Sequence, residues 1–190
     1  MHDTTRLLTA ATALSQLLRE HSIAHAFHGS FLTSLMANNP LTDEIYCIVE
    51  GGSSHPFRRV RQAVTGSENI STTPTPWCNR LHATYHGFIP AVEIEILPAG
   101  EEGPRHLDSS TTMAIRGIPF LTVSEFIRAK LKTWGSRAQE NDAQDIIYCL
   151  SRYWNRVDIN RIPEDDMNTF VTRYPSAAPA WTAIKRKYGM

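Results

Sequence analysis

Two short stretches carry side chains whose types and spacing could do chemistry. Glu93-Ile94-Glu95 sets two carboxylates two residues apart, and Glu44-Ile45-Tyr46 sets a carboxylate and a phenol at the same spacing. On a β-strand, residues i and i+2 project from one face, so each pair would converge on a single surface. Two such carboxylates can share a divalent cation. In a closed cleft their mutual repulsion instead raises one pKa and permits acid–base work. Tyr46 alters the first pair, because a phenol with a reference pKa of about 10 is neutral at ordinary pH. Each pair also has a plainer reading. Glu44 as a surface acid, Tyr46 as a core ring with its hydroxyl bonded, and Glu93 and Glu95 as a solvated strand face would need no function at all.

The remaining polar residues exclude several chemistries. His82 and His86 have the spacing of a helical zinc pair, but Gly87 and the alternation around them favour a hairpin, which breaks that geometry. His25 and His28 stand three apart on a strand and would face opposite ways; His28 borders either a cleft or the core. Cys47, Cys78 and Cys149 are odd in number and widely spaced, without a CxxC pair, so free buried thiols are expected. No Ser-His-Asp or Cys-His arrangement can be assembled from the spacing. Arg58, Arg59 and Arg61 read as a solvated helix face. Lys plus Arg and Asp plus Glu are 19 each, and the zero net charge argues against nucleic acid as the main partner. There is no signal-peptide core and no apolar run long enough to span a bilayer, so a soluble cytosolic protein is expected, with no membrane partner.

The elements that must position these residues follow from periodicity. Leu7, Leu8, Ala11, Leu14, Leu17 and Leu18 make one apolar face of a helix over 4–21, capped by Asp3 or Thr4. Ile23–Phe27 reads as a strand stopped by Gly29-Ser30. A helix over 31–37 follows, closed by Asn38-Asn39-Pro40. Ile45–Val49 is a buried β-branched strand, and Pro56–Val64 a helix opened by proline. The Ser-, Thr- and Pro-rich stretch 65–76 reads as a loop, Arg80–Tyr85 and Ala91–Leu97 as a β-hairpin, and 98–110 as a second loop. Helices are then predicted over 124–134, with Ser124 as N-cap, and over 138–154, 164–173 and 179–187. This order specifies an α/β (α+β) chain: an α/β core over 1–115 and a helical part over 116–190 packed on it as one structural unit.

These residues, in this order, resemble the nucleotidyltransferase-fold superfamily, and in particular its small divergent members. His28-Gly29-Ser30 is similar to the family's Gly-Gly or Gly-Ser turn, and Thr42-Asp43-Glu44-Ile45-Tyr46 to its acidic strand. Glu93-Ile94-Glu95-Ile96-Leu97 resembles the later strand that supplies a third carboxylate, through Glu95. Residues 117–124, followed by Lys130-Leu131, Trp134, Arg137, Asp142 and Asp145, resemble the family's helical signature. The resemblance covers about residues 10–150. It implies a nucleotidyltransferase-like mixed sheet flanked by helices, a triphosphate near Gly29 and Ser30, magnesium at the acidic strand, and Lys130 near phosphate. Without that role, Lys130 would be a solvent-facing lysine, and Asp142 and Asp145 would hold helix and loop together. The chain departs from the pattern where function matters most: Glu44 replaces the usual Asp, Tyr46 the second acid, Pro40 an Arg and Asn141 a Lys.

Three functions are compatible with this reading. The first is a repurposed cleft that binds a small organic substrate without metal or other cofactor and promotes isomerisation or cyclisation, such as an intramolecular cycloaddition in secondary metabolism. Its catalytic candidates are Tyr46, Glu44, Glu95 and Lys130, and its substrate-binding candidates His28, Gly29, Ser30 and Glu93. The second is a divergent magnesium-dependent nucleotidyltransferase using Glu44, Glu95 and Glu93. The third is a non-catalytic, antitoxin-like or regulatory binding protein.

Overall fold

The computed structural model of the chain describes residues 4–39, 42–76 and 79–190. Asp3, Pro40 and Cys78 lie outside the described residues. Two compact units divide the chain, Met1–Leu121 and Thr122–Met190. Position 115/116, where the sequence reading divides the chain, lies in the turn just before the strand Ile118–Leu121, which belongs to the sheet of the first unit.

The first unit alternates helices and strands: α1 (Thr4–Glu20), β1 (His25–His28), α2 (Ser30–Ala37), β2 (Ile45–Val49) and α3 (Pro56–Val64). It continues as β3 (Ile70–Pro74), β4 (Leu81–Tyr85), β5 (Val92–Pro98), β6 (Thr112–Ile115) and β7 (Ile118–Leu121). The strands form one mixed sheet in the order β3-β4-β5-β2-β1-β7-β6. β2 runs parallel to β5 and β1 parallel to β7, while the other neighbours are antiparallel. The stretch expected to be a loop over 65–76 contains β3, an edge strand whose Ser, Thr and Pro residues suit a position with one unpaired side.

One face of the sheet is mostly apolar. Phe27, Cys47, Ile96 and Leu81 stand in register across it, each almost wholly buried. Phe27, Phe31 and Phe120 interlock with ring centroids 5.5–6.3 Å apart, which fixes α2 against β1 and β7. His25 ties β1 to α1: its Nδ1 donates to the Ile23 carbonyl, so its Nε2 accepts from Ser15 Oγ at 2.8 Å. Burial holds this imidazole's pKa down, in keeping with a neutral ring.

The other face is divided. Ala26, Ile48, Leu97 and Leu121 form an apolar patch under Leu107, which comes from the loop after β5. Glu50 fastens that loop, accepting from the Leu107 N–H at 2.9 Å and facing His106 Nδ1 at 3.1 Å. Gly103 (φ 78°) lets the loop lie close; a Cβ there would come within 2.8 Å of Ile48 Cδ1. The rest of this face, toward β4 and β3, is polar.

The second unit contains α4 (Val123–Arg137), α5 (Glu140–Tyr153), α6 (Glu164–Arg173) and α7 (Ala178–Lys187), with 3-10 turns at Trp154–Arg156, Ile159–Arg161 and Pro175–Ala177. The N-cap of α4 is Thr122, whose hydroxyl accepts from the Glu125 N–H, and not Ser124. Ser124 lies inside the helix, where its hydroxyl accepts from the Asp158 N–H at 2.8 Å. The core is aromatic: Trp134 meets Phe170 and Tyr174 edge-on, those two rings lie tilted on each other, and buried Trp181 donates to Asn168 at 2.8 Å. Among the described residues no helix is long and apolar enough to cross a membrane.

Candidate functional site

Strand register assembles the polar half of the divided face. His28, Tyr46, Glu95, His82 and Thr73 are successive Cα partners across β1, β2, β5, β4 and β3, so their side chains leave the sheet on one side. Glu93 lies two residues before Glu95 on the same face, opposite Thr84. Five of the residues singled out from the sequence for the first unit, His28, Tyr46, Glu95, Glu93 and Glu44, therefore belong to one surface or touch it.

Tyr46 stands where the apolar and polar halves meet. Its ring packs on the Ile48–Leu97 patch and beneath Gly29, where an added Cβ would lie 3.0 Å from Tyr46 Cδ2. Gly29 permits this at φ 89°, ψ −167°, a conformation that side chains disfavour. The Tyr46 hydroxyl donates to Glu44 Oε2 at 3.2 Å, and the Arg80 guanidinium sits 5.6 Å from its ring centroid. Both plain readings of these residues hold in part: the ring is half in the core and Glu44 is exposed. Burial raises the phenol's pKa, the Glu44 charge adds to that, and Arg80 opposes it only partly. Tyr46 is accordingly a neutral donor, positioned by its ring and aimed by Glu44.

His82 was not among the residues the sequence nominated, yet it is the hub of the second cluster. Its Nδ1 lies 2.7 Å from Glu95 Oε1 and its Nε2 lies 2.5 Å from Glu93 Oε2. Carboxylates only accept, so holding both requires a proton on each nitrogen, an imidazolium. Partial burial pulls the His82 pKa down, but the Glu95 hydrogen bond and the charges of Glu95 and Glu93 outweigh it and raise the pKa above 6.5. Thr84 Oγ1 donates to Glu93 at 2.8 Å and completes the cluster. A hairpin register, not a motif, would have revealed His82: positions 82 and 95, like 84 and 93, are mirror images about the turn.

Ser30 opens α2 directly after Gly29, which contributes no side-chain cap. Lys130 belongs to the second unit. There it is buried, with Nζ 3.2 Å from Asp142 Oδ1 and 3.0 Å from Asp145 Oδ2, and it is not solvent-facing. Arg137 approaches Asp142 from the other side at 3.5 Å. Asp142 and Asp145 thus join α5 to α4 instead of joining a helix to a loop.

The resemblance read from the sequence implies magnesium at the acidic strand, and the residues here do not present the ligands that ion favours. Magnesium needs hard anionic oxygens in octahedral array. Tyr46 is a neutral donor, and Glu93 and Glu95 both face His82. Among the described residues no group of three or more His, Cys, Asp and Glu side chains could hold a metal ion.

No family profile matches the sequence, and no curated protein sequence matches it significantly. Solved structures do match its fold. A candidate nucleotidyltransferase from H. pylori aligns over 93% of this chain and 80% of its own, at 14% identity and a TM-score of 0.53. The antibiotic-resistance factor ANT(2'')-Ia in solution aligns over 96% and 98%, at 9% identity and a TM-score of 0.56. Its crystal structure with adenylyl-2''-tobramycin aligns over 89% and 97%, at 11% identity and a TM-score of 0.53. At these identities the likeness concerns the fold.

Proposed function

We propose that this chain, which has the nucleotidyltransferase fold, is an enzyme that acts on a small organic molecule without a metal ion. The reaction class is isomerisation or intramolecular cyclisation, of the kind used in secondary metabolism. The observation that carries this reading is Tyr46, a neutral, ring-anchored donor standing where the fold family has an acid. A substrate carbonyl seated at the Tyr46 hydroxyl would be polarised by that O–H, with Glu44 holding the phenol's orientation. The half-buried Tyr46 ring would offer the substrate's hydrocarbon part an apolar contact, and Gly29 and Ser30 would bound the site next to His28. Glu95 and Glu93, bridged by His82, would provide proton exchange beside it. Isomerisation and cyclisation redistribute bonds within one molecule, so no co-substrate is consumed. Holding a reactive conformer and polarising one carbonyl is the whole requirement.

The test uses the fact that such a product has its substrate's mass. The full chain, incubated with fractionated small-molecule extract in EDTA, should convert one component to a chromatographically distinct isomer, read by liquid chromatography and mass spectrometry. Tyr46→Phe should abolish the conversion. An isomer formed equally by the variant would remove Tyr46 from the mechanism.

A second reading is favoured by one observation: a fold neighbour is seen with an adenylylated aminoglycoside. On that reading Glu95 and Glu93 would have to leave His82 and join Glu44 in supporting magnesium-dependent nucleotide transfer to a small acceptor. Calorimetry with magnesium and each nucleoside triphosphate separates the two. Triphosphate binding that needs magnesium and is lost in Glu44→Gln would replace the first reading.

A further inference from the structure

Zero net charge conceals a division. Met1–Leu121 holds 11 Asp and Glu against 8 Lys and Arg, a net −3; Thr122–Met190 holds 8 against 11, a net +3. The argument against nucleic acid from total charge therefore averages over two unlike surfaces. In the second unit three of the eight acids are turned inward, with Glu125 on Arg161 and Asp142 and Asp145 on Lys130. The basic excess collects where the ends of α5 and α7 meet. Arg152 lies in the last turn of α5, Arg156 ends the 3-10 turn Trp154–Arg156, and Lys185, Arg186 and Lys187 close α7. The two ends are joined by Lys187 Nζ donating to the Asn155 carbonyl at 2.8 Å and the Tyr188 hydroxyl to Val157 at 3.5 Å. Among the described residues, no carboxylate forms an ion pair with any of these five cations.

Aromatic rings stand between the cations. Trp154 is 37% and Tyr188 40% exposed, although both are large enough to be buried with profit. Arg156 lies 5.6 Å from the Tyr153 ring centroid, and Tyr153 lies edge-on to Tyr148 at 6.2 Å. Cations at helix C-termini offset the macrodipole, which accounts for a basic last turn. It does not account for an exposed indole and phenol set among them.

We propose that this edge of the second unit binds single-stranded nucleic acid. Cations would track the phosphates while Trp154 and Tyr188 stack on about two bases, the combination that holds single strands without reading sequence. A bilayer is the poorer occupant, since the exposed rings carry polar tips and, among the described residues, Met190 alone adds a large exposed aliphatic side chain beside them. A base-paired duplex hides the ring faces that these side chains would use.

The experiment is fluorescence anisotropy of the full chain with labelled U12 and dT12, a 12-base-pair duplex, inorganic polyphosphate as competitor, and phosphatidylserine vesicles. Single strands should bind with micromolar affinity at 50 mM salt and lose it with a log–log salt slope of about −2 to −3, for roughly three to four phosphates. A preference between U12 and dT12 assigns the strand to RNA or DNA. Trp154→Ala should weaken single-strand binding roughly tenfold with the slope unchanged. Arg152→Gln with Arg156→Gln should reduce the slope by about 1.4. Arg156 stands over the Tyr153 ring and among the described residues forms no ion pair, so Arg156→Gln alone keeps the test open if another variant unfolds. Absence of binding at 50 mM salt overturns the proposal. So does polyphosphate binding that matches the oligonucleotides in wild type and Trp154→Ala alike, or capture by vesicles in preference to single strands.

Discussion

The His82 cluster on the sheet and the Lys130 cluster between α4 and α5 are made of the same parts, one cation between two carboxylates, and differ in their surroundings. The side chains of Lys130, Asp142 and Asp145 are 4–9% exposed, whereas those of His82, Glu93 and Glu95 are 30–51% exposed. Burial makes the first cluster all or nothing, because removing any member leaves a charge in a medium that cannot solvate it. Exposure makes the second adjustable, since water screens each pair and the imidazole can lose its proton without stranding its neighbours. One cluster joins two helices; the other is free to change state while its strands stay in place.

Substitutions should separate the two by size. Lys130→Met should cost about 3 kcal/mol in chemical denaturation, toward the lower end for a broken buried pair because Arg137 remains beside Asp142. Replacing Lys130, Asp142 and Asp145 together by Met, Leu and Leu should recover most of that loss. If the triple variant were as unstable as the single one, the cluster would be contributing more than charge balance. Gly29→Ala should cost about 2 kcal/mol, from the strained backbone and the 3.0 Å approach to Tyr46. It should also disturb activity by shifting the phenol. A neutral result would mean that the ring moves freely and is not the anchored donor described above.

Tyr46→Phe removes one half-exposed hydrogen bond, so it should cost about 1 kcal/mol or less while abolishing mass-neutral turnover. That division between stability and activity marks a residue kept for chemistry. The smallest effect on stability belongs to His82. Its pKa is raised by folding, so its contribution is fully present below pH 6.5 and lost as pH rises through the raised value. The contribution should stay under about 1 kcal/mol. Nuclear magnetic resonance titration of its ring should show a midpoint above 6.5 that falls in Glu95→Gln. An unchanged midpoint would detach His82 from Glu95 in solution.

The elements that periodicity and capping define were legible in the sequence: α1, α2, β2, α3, the β4–β5 hairpin and the four later helices. β3 was not, because at a sheet edge neither alternation nor hydrophobicity is enforced on Ser71, Thr72 and Thr73. Thr122 was passed over for Ser124 because both can cap and only the backbone path decides between them. The shared face of Glu93 and Glu95 followed from spacing alone. His82 needed the exact hairpin register, which a turn containing cis Ile89-Pro90 does not announce. Lys130 was read from a resemblance, and its partners 12 and 15 residues away lie on another helix, where one-dimensional spacing gives no warning.

Glu50 has a consequence for how this face of the sheet could be altered. The loop that roofs the apolar patch is held to the sheet through one carboxylate just past the end of β2, together with the seat of Leu107. Residues 100–105 lie between the end of β5 and that fastening. Positions there other than Gly103, whose missing Cβ lets the loop lie against Ile48, could be varied without touching a strand. The sheet and the loop over its apolar patch are therefore separable parts, and a library confined to those few positions would vary the loop while leaving Tyr46, Glu95 and His82 where they are.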